Sequence, residues 1–349
     1  MSVVGMSVVV SAAIVIVAAI LCAALIVLMR PLLARYALAI PNARSSHATP
    51  TPQGGGAAVV VAAIVVAGSA IGLMSVAGDA ASLLLTLLGA VIVIAATGVM
   101  ADLHRAGVVP RFALQALAVA IAIYALPVEF HVLPFLPVWL ERVGLVIGTL
   151  WFVNLTNFMD GLDLMTAAEA VPVTIGIAII GLLGVLPLFA VALSLALCGA
   201  MIGFGYFNRP VAKLFLGDIG SLSVGLVLAW LLILLAGSGG HTAAILLPLY
   251  YVADATITLL RRLINREPVW QAHRTHFYQR ATDGGYTVIE IVARVFAINL
   301  ALGVLATGTV IVPGRTTDII ALIAGIALVA WLLTAFARGK STSLARRVS

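Results

Sequence analysis

Between two long apolar runs the chain reads Asn154-Leu155-Thr156-Asn157-Phe158-Met159-Asp160-Gly161-Leu162-Asp163. The first three polar side chains recur at intervals of three, which brings them near one face of a helix, and the glycine allows a tight turn before the last carboxylate. Polar groups at the edge of a bilayer are costly without partners. Capping of the next helix would explain one of the four polar side chains, but not all of them. The stretch therefore indicates a polar site where membrane helices end.

The composition of the whole chain agrees with this interpretation. Of its 349 residues, 63% are hydrophobic and only 9% are charged, and the mean hydropathy is +1.21. A soluble protein of this size needs far more charge to cover its surface. We therefore expect an all-α integral membrane fold, a polytopic bundle that forms a single domain over 1–349, with a short basic tail at 338–349.

Eleven apolar runs are long enough to span a bilayer. They are predicted at 4–29, 56–77, 81–100, 111–127, 142–158, 164–185, 187–206, 219–237, 242–260, 287–311 and 316–337. The division between the sixth and seventh runs, at 184–187, is the weakest. The first run lacks a basic flank and is too long for the core of a signal peptide, so we expect it to remain as a helix.

The basic residues predict the orientation. With the N-terminus outside, sixteen of the 19 Lys and Arg residues lie on inner loops or on the tail, whereas Arg142 and Arg315 lie outside and Arg294 lies within the tenth run. Under the positive-inside rule this asymmetry predicts a cytoplasmic C-terminus. The net charge of +6 then reflects membrane topology, and we expect no nucleic-acid partner.

The first inner loop, 41–56, ends in three glycines at the start of a predicted helix. Backbone N–H groups at such a position can approach an anion. Gly54 and Gly55 are therefore candidate phosphate contacts, and Arg44 and His47 beside them favour that interpretation. A plain turn before a membrane helix is the alternative.

Two further inner loops supply single carboxylates. Asp102 follows the third run, close to Arg111, and could equally form a surface ion pair. Asp218 lies between two glycines at the start of the eighth run, in a loop that also carries Asn208 and Lys213. It is either a helix cap or a ligand of a hard cation such as Mg²⁺, which proteins hold through few carboxylates together with substrate phosphates.

The fifth inner loop is the longest and carries two histidines three residues apart. Zinc is not favoured because no Cys and no third His accompanies them. Donors aimed at a diphosphate fit better, and the candidates are His273, Arg274, His276 and Gln279. Asp254 lies inside the ninth run, where an acid is either functional or neutralised by a neighbouring helix.

Taken in order, the five loops resemble the polyprenyl-phosphate N-acetylhexosamine-1-phosphate transferases, a superfamily that includes the phospho-N-acetylmuramoyl-pentapeptide transferase. The resemblance covers 41–279 and depends most on the stretch quoted first and on Phe215-Leu216-Gly217-Asp218-Ile219-Gly220-Ser221. The first and fifth loops are similar to the branch that starts O-antigen or related glycans.

The resemblance implies an enzyme of the bacterial inner (plasma) membrane that transfers HexNAc-1-phosphate from a UDP-sugar to polyprenyl (undecaprenyl) phosphate and releases UMP. It implies Mg²⁺ as cofactor, with Mn²⁺ as the alternative, and a homodimer as the assembly to consider. Such a reaction requires alignment and charge neutralisation. By analogy, Asp218 with Asp160 would hold the metal. The nucleotide and metal would contact Asn154, Asn157, Asp160 and Asp163; Asp102 would join the catalytic acids; and His273, His276 and Arg274 would hold the diphosphate or sugar.

The sequence departs from the family at two positions. The family usually has two adjacent acids after the third span, where this chain has Ala101-Asp102. It also usually has a Gly after the last Asp of the stretch quoted first, where this chain has Leu164. A catalytically weak or silent homologue is therefore one alternative. A lipid or anion transporter is another, but its polar residues would line the bilayer midplane in both halves of the chain.

We expect Ala101→Asp to raise turnover by restoring the second acid. The measurement is lipid extraction of product formed from a radiolabelled UDP-sugar. A phosphate monoester is largely dianionic at neutral pH because its second pKa is about 6, so we expect a small gain if the missing acid only deprotonates the acceptor and a large gain if it positions the metal or the acceptor. Equal or lower activity of the variant would refute this expectation.

Overall fold

The computed structural model describes residues 6–39, 49–74, 79–103, 107–268 and 273–340. Across these ranges it is helical apart from one short antiparallel pair, β1 (Leu38–Ala39) with β2 (Thr51–Pro52). The helices are α1 (Val8–Tyr36), α2 (Gly56–Leu73), α3 (Asp79–Asp102), α4 (Val108–Tyr124), α5 (Val138–Met159), α6 (Met165–Leu182), α7 (Leu188–Asn208), α8 (Gly217–Gly237), α9 (His241–Leu246), α10 (Leu249–Ile264), α11 (Phe277–Asp283), α12 (Val288–Ile311) and α13 (Arg315–Arg338).

The helices confirm an all-α polytopic membrane protein. Nine helices in the described ranges are long and apolar enough to cross a bilayer, and α4 is a shorter apolar helix of 17 residues. The predicted ninth span, 242–260, is divided into α9 and α10 around Pro248, because proline lacks the N–H that a continuous helix needs. Each predicted span thus coincides with a helix or, in that one case, with two.

The centre of the bundle is α8. It is buried along nearly its whole length, as α6 and α7 are along most of theirs, whereas α1, α12 and α13 are largely exposed. It packs against α2, α3 and α5. A helix that is apolar on all sides is enclosed by other helices, so the first turn of α8 begins among the ends of its neighbours.

Glycines allow the close approach of α8 to two of these neighbours. A Cβ on Gly98 of α3 would collide with the backbone of Ile219, and one on Gly56 of α2 would collide with that of Gly220. Small residues at membrane helix interfaces let backbones come together where no hydrophobic force drives association. These contacts bring the end of α3 and the beginning of α2 against the first turn of α8.

The two ends of the bundle differ in their polar groups. At what we call the far end, Glu141 is buried and accepts hydrogen bonds from the N–H groups of Val132 and Leu133, the latter at 2.7 Å. Arg142 is also buried and donates to the carbonyls of Pro127, at 2.6 Å, and Phe130, at 3.0 Å. These charges hold the 127–137 loop in place. The opposite end, which we call the site end, carries Asp160 and Asp163 after α5 and Asp218 at the start of α8.

The glycine contact gives a test of this packing. Gly98→Ala should lower the thermal unfolding temperature of the detergent-solubilised protein, since overpacking of a tight interface costs about 1–3 kcal/mol. Gly89→Ala is the matched control on the same helix, because nothing lies within 4 Å of its added Cβ. Helix propensity favours Ala over Gly by about 1 kcal/mol, so the control should be neutral or stabilising. Equal unfolding temperatures for the two variants would contradict the packing described.

Candidate active site

Asp102, the last residue of α3, caps the first turn of α8. Its Oδ1 accepts a hydrogen bond from the Asp218 N–H at 3.0 Å, and its Oδ2 lies 3.5 Å from the Ile219 nitrogen. A carboxylate at a helix N-terminus satisfies free amides and opposes the positive end of the helix dipole. Gly217 allows the approach, because its φ is +75° and an added Cβ would lie 2.6 Å from Oδ2. The predicted catalytic acid therefore has a positioning contact that its sequence context did not indicate.

The glycines of the first loop also meet α8. The Gly55 N–H donates to the Phe215 carbonyl at 2.9 Å, and the Gly56 N–H donates to the Leu216 carbonyl at 2.8 Å. The prediction that the Gly55 amide binds a phosphate is therefore wrong, since that amide already has a partner. Gly54 has a φ of +98°, a conformation that glycine adopts without strain. The predicted contacts Arg44 and His47 lie outside the described residues.

The turn between α5 and α6 is joined to the fourth loop by two side chains. The Asn208 Oδ1 accepts from the Leu164 N–H at 2.6 Å, and its Nδ2 donates to the Leu214 carbonyl at 2.9 Å. The Asp163 Oδ2 accepts from the Ala212 N–H at 3.0 Å. Both the oxygen and the nitrogen of the Asn208 side chain, predicted to bind substrate, thus form hydrogen bonds with backbone groups. Lys213 in the same loop is exposed.

Leu164 shows why the family places a glycine after the last Asp. Its φ is +62°, in the left-handed region, which costs a non-glycine residue roughly 1–2 kcal/mol. The hydrogen bond from its N–H to Asn208 holds this conformation. The chain therefore keeps the turn of the motif with a different residue.

Asp218 keeps a partly exposed carboxylate. The Asn157 Nδ2 donates to its Oδ1 at 2.8 Å and also contacts the Ser221 Oγ at 2.8 Å. The Arg111 guanidinium lies 3.5 Å from its Oδ2, and the Asp218 side chain remains 37% exposed. Asn154 lies one turn before Asn157 in α5 and donates to the Gln115 Oε1 at 3.1 Å. Asp218 is thus oriented by an amide and a cation while one side of it stays open.

Asp160 follows α5 directly and is crowded by protein although part of it stays accessible. Its pKa is raised to about 8, chiefly by burial, with the Thr166 hydroxyl that donates to it acting in the opposite direction and the negative charges of Asp218, Asp102 and Asp163 contributing to the rise. Carboxylates that repel one another in this way favour the binding of a cation among them. The oxygen donors of Asp160 and Asp218 suit Mg²⁺.

The acids of the site differ in their partners. Asp102 and Asp163 each accept a hydrogen bond from a backbone amide, whereas Asp218 and Asp160 stay the predicted metal ligands. Among the described residues, no three His, Cys, Asp or Glu side chains are already gathered as metal ligands. This arrangement fits Mg²⁺, which is usually bound through one or two carboxylates, water and substrate phosphates.

The fifth loop forms α11, which lies against the α5–α6 turn. The Tyr278 hydroxyl donates to the Phe158 carbonyl at 3.0 Å, and a Cβ on Gly161 would collide with that hydroxyl. Gln279, predicted to bind substrate, is buried beside the same glycine. Gly161 is therefore required for the docking of α11 as well as for the turn.

The polar residues at the start of α11 face different ways. His276 is 1% exposed, and its Nδ1 lies 3.3 Å from the Asp254 Oδ1. The Arg274 guanidinium donates to the Thr282 hydroxyl at 3.2 Å and lies 3.6 Å from the Asp283 Oδ1. His273 is only partly buried. The expectation that both histidines contact the substrate is thus corrected for His276, whose ring faces the protein interior.

Sequence reasoning left three residues out of the site. These are Arg111, Thr166 and Ser221, which contact Asp218, Asp160 and Asn157 respectively. Ser221 follows Asp218 by three residues on one helix, a spacing that places both on one face. The positions of the other two depend on helix packing and leave no comparable signal.

The family described as glycosyl transferase family 4 matches this chain over residues 83–236. The chain is similar to the "Probable undecaprenyl-phosphate N-acetylglucosaminyl 1-phosphate transferase" of Bacillus subtilis, with 29% identity over 60% of this chain and 63% of that protein. It is 28% identical to the "Decaprenyl-phosphate N-acetylglucosaminephosphotransferase" of Mycobacterium leprae, over 78% of this chain and 76% of that protein. It is 29% identical to the "Phospho-N-acetylmuramoyl-pentapeptide-transferase" of a Synechococcus species, over 60% of this chain and 62% of that one.

The chain spans less than two thirds of the length of the first relatives it matches, including the Bacillus and Synechococcus proteins. The region matched by the family nevertheless holds Asp102, Asp160 and Asp218 together with the helices that carry them. The family match, these relatives and the arrangement of the acids agree with one another. Over residues 83–236 the chain matches glycosyl transferase family 4, and it is similar to proteins named as transferases of the polyprenyl-phosphate N-acetylhexosamine-1-phosphate type.

Proposed function

We propose that this protein transfers a HexNAc-1-phosphate from a UDP-sugar to polyprenyl phosphate with the aid of Mg²⁺. The observation that carries the proposal is the meeting of Asp218, Asp160, Asn157 and Arg111 at one end of a bundle of membrane helices. A site at that depth lets a polyprenyl chain stay in the bilayer while its phosphate reaches polar side chains.

In the proposed reaction an oxygen of the acceptor phosphate bonds to the β-phosphorus of the donor. The bond from that phosphorus to the bridging oxygen breaks, and UMP leaves with the oxygen. The acceptor is largely dianionic at neutral pH, since its second pKa is about 6. The chain therefore needs no strong base, and alignment and charge neutralisation supply most of the catalysis.

The residues have separate tasks in this proposal. Asp218 and Asp160 would hold the Mg²⁺, which when bound neutralises charge on the diphosphate. Asn157 keeps the Asp218 carboxylate in one orientation through its 2.8 Å hydrogen bond. Arg111 offers further donors to phosphate oxygens, a task for which the planar guanidinium is well suited. His273 would contact the diphosphate or the sugar.

The setting of the reaction is part of the proposal. The charge asymmetry of the loops supports an N-terminus outside and a site end that faces the cytoplasm, where UDP-sugars are available. The bacterial inner membrane and the start of a cell-surface glycan such as O-antigen stay predictions from the sequence resemblance. A homodimer stays a prediction.

A weakly active or silent homologue is the second candidate, and one observation favours it. Ala101 replaces the usual first acid and is 7% exposed, so the position is packed and an Asp side chain would need room there. The silent homologue would keep the fold and the cation site but release no UMP.

The test uses purified protein with polyprenyl phosphate, Mg²⁺ and a panel of UDP-sugars. UMP release together with a polyprenyl-diphosphate-sugar detected by mass spectrometry would support the transferase and identify the sugar. Absence of UMP with every donor, from protein shown to be folded, would exclude the transferase and favour the silent homologue.

Asp218→Asn should lower kcat at least about 100-fold, because losing even an outer partner of a metal ligand costs 10–100-fold. The measurement is the rate of UMP release at saturating donor and Mg²⁺. Asp318→Asn is the matched control, since it makes the same change in the first turn of α13, at the far end, and should keep full activity. Retention of more than half of the wild-type rate by Asp218→Asn would exclude Asp218 as a metal ligand.

Arg111→Met should lower kcat/KM for the UDP-sugar by roughly 10- to 150-fold, the range expected for hydrogen bonds to charged groups at about 1.5–3 kcal/mol. Arg111→Lys keeps the charge and should recover part of the loss, because a point charge lacks the fork of the guanidinium. Arg315→Met at the far end is the control. Equal kcat/KM for Arg111→Met and wild type would remove Arg111 from the site.

A further inference from the structure

Asp254 is an acid in α10 with no exposed surface. Its carboxylate has partners on two elements, α10 itself and the start of α11. They are the N–H of Phe277 at 3.0 Å, the N–H of Tyr278 at 3.2 Å, and the hydroxyls of Tyr250 at 3.2 Å and Thr258 at 3.3 Å. The His276 Nδ1 lies 3.3 Å from Oδ1 without a hydrogen bond. A buried carboxylate is costly unless its oxygens are satisfied in this way.

Two of these partners make Asp254 the cap of α11. The helix has seven residues, and a helix of that length is not stable by itself in water. A carboxylate that accepts from the first free amides opposes the helix dipole and fixes where the helix begins. The start of α11 is thus defined by an acid that comes from a different helix.

The capped helix in turn contacts the catalytic turn. The Tyr278 hydroxyl donates to the Phe158 carbonyl, two residues before Asp160, and its ring stacks on His276 at a centroid distance of 5.7 Å. The rings of His276 and His273 meet edge to face at 4.9 Å. Asp254, His276 and His273 therefore form a continuous series from the bundle interior to a partly exposed side chain.

We propose that Asp254 is a positioning residue of the active site, which holds α11 and presents His273 to the substrate while fixing the turn that carries Asp160. His276 serves as the support behind His273. The effect on catalysis rests on the proposed transferase function, whereas the effect on α11 does not.

The test compares Asp254→Asn with wild type by hydrogen exchange and by kinetics. Asparagine has one acceptor in place of two and puts an amide donor against the α11 amides, so exchange in peptides covering 277–283 should rise at least about ten-fold, the cost of one lost hydrogen bond to a charged group. Exchange in α8 should stay unchanged. The kcat should fall at least about ten-fold for the same reason, with the unfolding temperature close to that of wild type.

Gly161→Ala is the second variant, because it displaces α11 from the opposite side without touching Asp254. It should give the same two changes, and it keeps the inference testable if Asp254→Asn does not fold. Thr287→Ala is the matched control, since it removes the N-cap of α12 and should leave both the exchange of α11 and kcat as in wild type.

The outcomes separate the two proposals. If wild type shows no transferase activity but Asp254→Asn frees α11 alone, the transferase proposal fails and the positioning contact stands. If wild type is active and Asp254→Asn changes neither α11 exchange nor kcat, the inference about Asp254 is overturned. A loss of protection spread over all helices in both variants would also overturn it, because Asp254 would then be a general stability residue.

Discussion

One carboxylate from the end of α3 closes the first turn of α8, and the position of the site depends on that contact. Asp102 accepts from the amides of Asp218 and Ile219, so Asp102 fixes the backbone from which the Asp218 carboxylate extends. An anion at a helix N-terminus is favourable where water is scarce. Because Gly56 and Gly98 bring α2 and α3 against the same turn, the second, first and fourth loops meet at one point.

The acids of the site divide into two kinds. Asp102, Asp163 and Asp254 accept hydrogen bonds from backbone amides and fix one element on another. Asp160 and Asp218 accept from side chains, from Thr166 and Asn157 respectively, and their mutual repulsion favours a cation. The proposed phosphoryl transfer depends on alignment and on charge neutralisation; the first group would supply the alignment, and the second would hold the cation that neutralises the charge of the diphosphate. A residue type alone does not show to which group an acid belongs.

The sequence predicts most of the architecture because apolar runs and loop charges are local features. The spans follow from run length, and even the break at Pro248 has a local cause. The tasks of the polar residues are not local. Asp102 meets Asp218 116 residues later, and Asn208 reaches Leu164 across 44 residues. The Gly55 and Gly56 amides of the first loop are predicted to be available for phosphate, but they donate to the carbonyls of Phe215 and Leu216, just before α8. Such pairings depend on which helices pack together, and the spacing of residues along the sequence does not predict helix packing.

The central claim is that Asp218 and Asp160 together bind one divalent cation at the site end. Titration of the purified protein with Mn²⁺, followed by electron paramagnetic resonance in the presence of a UDP-sugar, tests it most directly. The account predicts one bound Mn²⁺ per chain that Mg²⁺ displaces, with binding lost in both Asp218→Asn and Asp160→Asn. Undiminished Mn²⁺ binding in these two variants would contradict it.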